Sequence, residues 1–229
     1  NTANGDDALG SNTTGYSNPA YGANALNSNT TGIYNTGIGI GTLSENTTGT
    51  FNTALGTFAG VASADLTNAT AIGNQARVDV SNKVRIGNIA VTSIGGQVGW
   101  STFSDGRYKQ NVQQDVPGLA FISRLRPVTY TVDTKSLAEK YYKVKPAMAA
   151  AANKSNRHTG FIAQEVEQSA TALGFNFSGV DKPEQADKLY GLRYADFVVP
   201  LVKAVQEQQQ QIEDLKKEIG LLKELIKNK

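Results

Sequence analysis

The sequence predicts a β-solenoid stalk of 17-residue repeats followed by an α+β domain that ends in a long C-terminal helix of coiled-coil type. Three observations carry this prediction. A repeat runs through residues 1–85, the chain turns from nearly uncharged to charge-rich near residue 100, and a heptad pattern runs from about 195 to 228. The expected boundaries are a repeat stalk over 1–90, a linker with junction strands over 91–103, and a second domain over 104–229.

The repeat has no gaps. NTANGDDALGSNTTGYS is followed by NPAYGANALNSNTTGIY, NTGIGIGTLSENTTGTF, NTALGTFAGVASADLTN and ATAIGNQARVDVSNKVR. The fifth position is always glycine (Gly5, Gly22, Gly39, Gly56, Gly73), the ninth is first leucine (Leu9, Leu26, Leu43), and an Asn-Thr-Thr-Gly turn recurs from Asn12, Asn29 and Asn46. Gly and Asn supply the positive-φ corners. Ala, Leu and Ile between the corners are expected to stack on their counterparts one coil below, and Thr and Asn to form ladders. Five coils at about 4.8 Å each make a rod about 24 Å long. So narrow a coil holds few large side chains. Trimerisation would bury more, with Ile38, Ile40, Leu55 and Phe58 as candidates for the shared interior.

Two motif matches in this half follow from the repeat itself. Asn12, Asn29 and Asn46 match the glycosylation sequon because the repeat recurs. Gly37-Ile38-Gly39-Ile40-Gly41 lacks the Lys-Ser/Thr and the helix of a phosphate loop. The pattern Asn-Thr-Ala-x-Gly-x-x-Ala-Leu…Asn-Thr-Thr-Gly resembles the head repeats of trimeric autotransporter adhesins, which are left-handed parallel β-rolls. The repeat of that family is usually shorter than 17. The resemblance implies a stalk exposed to a host-cell surface, with a glycan or receptor as its partner.

Past Lys83, alternating Val84, Ile86, Ile89, Val91 and Ile94 indicate strands. Gly95-Gly96 and Gly99 indicate a turn or hinge, and the lone Trp100 is expected to pack between the modules.

Composition narrows the function. Hydrophobic content is 39%, low for a globule of 229 residues. The net charge of +2 gives no bulk attraction to nucleic acid or membrane. The first 100 residues hold five acids and three bases, leaving 15 acids and 19 bases for the rest. There is no cysteine and one histidine, so disulfides, thiolate metal sites and multi-His metal sites are excluded, and no cofactor is expected. No apolar run reaches membrane-span length and no signal peptide is visible. The chain starts within a repeat, as expected of the C-terminal piece of a longer protein. The stalk has too few carboxylates, too scattered, for glycan hydrolysis by a paired acid and base.

The chemistry-bearing segment is Ser104-Asp105-Gly106-Arg107-Tyr108-Lys109. Asp-Gly forms turns, and a Ser and a Lys five apart can meet across one. Serine needs a base to act as a nucleophile. With the single His158 distant in sequence, lysine is the alternative base. Holding a lysine as free amine near neutrality costs about 4.6 kcal/mol, which burial away from carboxylates can supply. On the hexapeptide alone, a surface hairpin with a capping Ser and a solvated Lys is the plainer account.

The flanking sequence reverses that balance. PGLAFISRLRPVTYTVD, HTGFIAQEVEQSA and LYGLRYADFVVPLVKAVQEQQQQIEDLKKEIGLLKELI follow SDGRYKQNV in order. Together they resemble the C-terminal intramolecular chaperone and auto-processing domain of the S74 peptidase family. That family occurs on phage tail fibres and tailspikes, including endosialidases, and on a membrane-bound myelin transcription factor. The resemblance implies a domain that templates trimeric folding of the preceding β-structure and then releases itself by Ser–Lys autoproteolysis. Ser104 and Lys109 take the catalytic positions, while Asp105 and Arg107 match the other polar ones. The implied location is a virion tail fibre, an extracellular surface fibre or an injection-device fibre. Neither nucleic acid nor membrane insertion is expected. The bond cut lies next to Ser104: attack on the Phe103 carbonyl passes through a five-membered ring, and a cut at Ser104–Asp105 needs an activated water or a neighbouring chain. Residues 134–154 look like an insertion forming short helices broken at Pro146. His158 is read as a structural histidine, with a supporting role beside Lys109 as the alternative. Gln164 and Glu165 are read as helix-start groups, with support of the site as the alternative.

From Tyr194 the pattern is helical. Val198, Val205, Ile212, Ile219 and Ile226 occupy one heptad position and Leu201, Leu215 and Leu222 the other, with Gln208 interrupting. Ile at a with Leu at d favours a dimer in isolation, and the fibre resemblance implies a homotrimer. A helix folded back on its own domain is the alternative. At the level of function, the alternative is an uncleaved structural adhesin or receptor-binding tip.

Overall fold

The computed structural model describes residues 1–139, 157–183, 185 and 188–228. The chain forms two compact units. One is Asn1–Ser101, which also takes in the stretch from Val132, and the other is Thr102–Thr131 with the chain from Arg157 onward.

The first unit is a parallel β-solenoid. Strands β1 (Thr2–Asn4), β2 (Pro19–Tyr21), β3 (Thr36–Ile38), β4 (Thr53–Leu55), β6 (Thr70–Ile72) and β8 (Val84–Ile86) form one six-stranded parallel sheet in that order. Strands β5 (Gly60–Val61) and β7 (Arg77–Val78) form a second, two-stranded sheet. Thr36 pairs with Thr53 and Thr53 with Thr70, the 17-residue step of the repeat. The last coil is shorter. Thr70 pairs with Val84, a step of 14. The expectation of an unbroken period fails here: the final unit has Val80 and Lys83 where the first three units carry the Asn and Gly of the Asn-Thr-Thr-Gly corner, whereas the fourth, with Ser63 and Leu66 there, still closes in 17. Ser81 and Asn82 bridge the gap, with Ser81 Oγ accepting from Thr67 N at 3.0 Å.

The corners explain the invariant glycines. Gly22 has φ +131°, and a Cβ there would lie 2.6 Å from the Gly39 carbonyl of the next coil. The leucines are a departure from expectation. Leu9, Leu26 and Leu43 sit at φ +55°, +52° and +50°. A left-handed residue with a Cβ costs about 1–2 kcal/mol, and full burial of a leucine returns about 1.5–3 kcal/mol, so the buried side chain offsets its own backbone strain. The core is otherwise small: Ala20, Ala25, Ala54, Ala59, Ala71 and Ala76, closed by Val61 and Val78. Isoleucines do not enter it. Ile38, Ile40, Leu55 and Phe58 face outward, each close to half exposed.

Polar ladders fill the remaining interior. Asn18, Asn35 and Asn52 are fully buried. The Oδ1 of Asn18 accepts from Asn35 N at 2.9 Å, and that of Asn35 from Asn52 N at 3.0 Å. Their Nδ2 groups donate to the corner carbonyls of Gly32, Gly49 and Leu66 at 2.8, 2.7 and 2.6 Å. A second column links Asn46 Nδ2 to Asn29 Oδ1 and Asn29 Nδ2 to Asn12 Oδ1, both at 2.9 Å. Asn29 and Asn46 are thus sealed inside the coil and cannot accept a glycan in the folded chain.

The alternating residues beyond β8 form no further strand, because the stack ends there and Ile89 to Ile94 have no rung to pair with. Trp100 is 88% exposed rather than packed. It lies in a glycine-rich stretch in which Gly95 and Gly99 have no atom within 4 Å of a would-be Cβ.

The second unit is built on aromatic rings. Helix α1 (Leu119–Ile122), the antiparallel pair β9 (Val128–Tyr130) and β10 (His158–Gly160), helix α3 (Ala163–Thr171), the antiparallel pair β11 (Val180–Asp181) and β12 (Gly191–Leu192), and helix α4 (Val198–Lys227) make it up. A further short helix, α2 (Thr134–Leu137), precedes α3 in the chain and counts with the first unit. Residues 140–154 of the insertion, with Pro146, lie outside the described residues. Phe177 stands 4.9 Å from both Phe121 and Phe197, ring centre to ring centre, over Val166 and Ala170. The α1 start abuts α4: a Cβ on Gly118 would lie 2.6 Å from Ala204 N, and Leu119 N donates to Glu207 Oε2 at 2.7 Å. Pro200 and Ala204 are buried, whereas Leu201, Val205, Ile212, Leu215, Ile219 and Leu222 are exposed along the helix. At 1.5 Å per residue the 30 residues of α4 span about 45 Å.

Substituting Asn35→Ala strands the Asn52 N–H and the Gly49 carbonyl inside the coil. The expected loss is about 2–5 kcal/mol, read as a lowered guanidinium midpoint of the stalk's unfolding transition.

Candidate functional site

The site is one turn of chain. Asp105 has extended backbone, φ −71° and ψ 121°, and caps a single 3-10 turn over Gly106–Tyr108 by accepting from Arg107 N at 2.9 Å. Tyr108 N and Lys109 N donate to the carbonyls of Asp105 and Gly106 at 3.1 and 3.2 Å. This turn reverses the chain, so that the Lys109 side chain returns over Ser104. Lys109 Nζ donates to Ser104 Oγ at 2.7 Å. The same separation carries a proton in the opposite sense once the nitrogen is a neutral amine, which is what a base for the hydroxyl must be.

The neighbouring charges form a pair of their own. Arg107 Nε lies 3.1 and 3.0 Å from the two Asp105 carboxylate oxygens, and its Nη2 lies 2.6 Å from Oδ2. Hydrogen bonding from Arg107 holds the Asp105 carboxyl below the usual carboxylate range, and Asp105 raises the Arg107 guanidinium in return. The whole turn is solvated in the single chain: Phe103 and Tyr108 are fully or nearly fully exposed, and a Cβ on Gly106 would touch nothing.

Of the residues singled out in the sequence, the fold brings Ser104, Asp105, Arg107 and Lys109 together. Among the described residues, neither His158 nor Gln164 hydrogen-bonds to any of them. His158 lies on β10 with its ring 5.7 Å from that of Tyr130. Gln164 starts α3 and lines an open cleft of about 360 Å³ with Tyr130, Phe161, Tyr190 and Tyr194. Glu165, beside it, pairs with Arg126, which lowers the Glu165 carboxyl. The Asp105–Arg107 fork was open to sequence reasoning through its two-residue spacing around a turn. The cleft was not, since its lining comes from three separate segments. Among the described residues no group of His, Cys, Asp or Glu could hold a metal ion, and no helix is long and apolar enough to cross a membrane.

Residues 104–175 match the model of the S74 peptidase family, described as chaperone of endosialidase, so this stretch carries a domain of that family behind the β-solenoid. No curated protein matches the chain.

Because Asp105 titrates below its ordinary range, the fork is fully formed above the usual carboxylate pKa. It opens only as pH falls through the lowered value. Side-chain NMR of Arg107 Nε is expected to show one unchanged environment from pH 8 to pH 5 and loss of the bonded state only in stronger acid.

Proposed function

Starting from a chaperone domain of a fibre protein at 104–175, we propose that it drives association of three chains and then releases itself by self-cleavage next to Ser104, with Lys109 as the base. The observation that carries this reading is the 2.7 Å contact between Lys109 Nζ and Ser104 Oγ. The family match begins at Ser104 itself, which fits a domain set free at that point.

Association is supported by two unpartnered apolar surfaces. Along the stalk, Tyr21, Ile38, Leu55, Ile72 and Ile86 form a column of outward residues in register on the six-stranded sheet. They share it with Thr36, Thr53 and Thr70. None of these positions is charged, so the face has little to lose on leaving water. Along α4, the heptad stripe from Val198 to Ile226 is exposed over its full length. Covering both by copies of the same chain buries what the narrow coil and the single helix leave out.

The chemistry follows from that association. In one chain Lys109 is solvated. Packing of neighbours over the turn strips water from the amine and favours its neutral form. The amine then takes the Ser104 proton as the oxygen attacks. Attack on the Phe103 carbonyl forms an ester on Ser104 and frees its nitrogen, and water then hydrolyses the ester. Folding precedes cutting in this scheme, and the released stalk is kinetically locked, having lost its template. The context is a virion tail fibre or another extracellular or injection-device fibre. The stalk is the part that meets a host glycan or receptor. The exposed state of Lys109 in the single chain also favours a second reading, an uncleaved structural tip, should no neighbour cover the turn.

Purified wild-type protein is expected to run as two fragments on a denaturing gel, and Ser104→Ala as one chain of 24.3 kDa. Mass spectrometry of the fragments reports which side of Ser104 is cut. Wild-type chains that stay whole after assembling select the structural tip. Ile219→Glu, on the α4 stripe, is expected to break the trimer in sedimentation. It should also slow cleavage by up to about a thousandfold, the share of neutral amine that desolvation supplied.

A further inference from the structure

The turn that holds the candidate pair contains one carboxylate, that of Asp105, four residues from Lys109. A base lysine has a particular vulnerability. A carboxylate beside it locks it as an ammonium ion, and the effect grows as water leaves. Desolvating this turn would therefore defeat its purpose if Asp105 were free to reach Lys109.

The hydrogen-bond inventory of Asp105 shows that it is not free. A carboxylate offers about four acceptor sites over its two oxygens. Oδ1 accepts from Arg107 N at 2.9 Å and from Arg107 Nε at 3.1 Å. Oδ2 accepts from Arg107 Nε at 3.0 Å and from Arg107 Nη2 at 2.6 Å. One residue thus engages both oxygens with three N–H donors, its backbone N–H, its Nη2 and the Nε–H shared between the two. A guanidinium keeps its charge at any working pH, so the fork does not let go as the surroundings dry. Among the described residues, the charged and titratable groups near Lys109 are those of its own turn, Asp105, Arg107 and Tyr108. Every residue from Ser104 to Lys109 is exposed, and among the described residues no atom lies within 4 Å of a Cβ placed on Gly106.

We propose that Arg107 is a positioning residue that sequesters the Asp105 carboxylate and so leaves Lys109 without an anionic partner, its nitrogen committed to Ser104. This rests on the Ser–Lys reading above and adds a reason for the two polar residues between the pair. It also explains why an acid can stand within the turn of a lysine-based nucleophile without quenching it.

The test reads Lys109 directly. Full chains carrying Ser104→Ala, Ser104→Ala with Arg107→Gln, and Ser104→Ala with both Arg107→Gln and Asp105→Asn are labelled with acetic anhydride across pH. Mass spectrometry then gives the Lys109 reactivity profile. Arg107→Gln is expected to move the profile alkaline by about one unit or more, a roughly tenfold loss of reactivity below the midpoint, and Asp105→Asn to restore it. Identical profiles in all three chains, or a shift that Asp105→Asn does not reverse, overturn the proposal. Because the turn is exposed, the profile is measured on the chain whether or not it has assembled. In chains that retain Ser104, Arg107→Gln should slow cleavage at neutral pH, with the rate recovered at higher pH and in the double variant. If wild type never cleaves, the protease reading falls while the amine profile still decides the role of Arg107.

Discussion

The narrowness of the 17-residue coil governs much of this molecule. A coil of this girth has room for alanine, a leucine at one corner and asparagine at two others, and for little else. Backbone groups at the corners would be stranded inside it, and an unpaired buried group costs about 1–3 kcal/mol. Asparagine answers this because one side chain both donates and accepts. Asn35 takes the N–H of the next coil and gives to the carbonyl of Gly49. The same shortage of room sends Ile38, Leu55 and Ile72 to the outside. Internal order and external stickiness are two outcomes of one geometric limit.

That division makes the second unit intelligible. It forms a core of its own from Phe121, Phe177 and Phe197, yet its long helix carries an apolar stripe that this core does not use. Ahead of this core in the sequence is a solvated stretch with the hydroxyl and amine already in contact. The local turn alone supplies that geometry. The fork from Arg107 to Asp105 engages the one acid in the turn.

Much of this was legible in the residues. The repeat announces itself because each coil reuses the same corner chemistry, and the invariant glycine reflects a carbonyl 2.6 Å from where a Cβ would be. The heptads of α4 and the Ser–Lys turn were visible for the same reason, since local spacing determines them. What escaped was set by the third dimension. The final coil closes in 14 residues although its sequence can be set against the 17-residue unit without a gap. Leucine at positive φ is invisible to propensity, since burial and not backbone preference decides it. Trp100 looked like a plug because size suggests burial, and the glycines around it leave it nothing to pack on. His158 and Gln164, read first as a structural histidine and a helix-start group, sit on β10 and in the first turn of α3. The aromatic cleft had no sequence signal because its walls come from three separate segments.

The alanine-and-asparagine interior has a calorimetric consequence. Exposing apolar surface raises heat capacity on unfolding and exposing polar surface lowers it. A core that mixes alanine with buried amide ladders therefore sets the two contributions against each other. The stalk's free energy then bends only weakly with temperature, so its rigidity changes little between cold and warm surroundings.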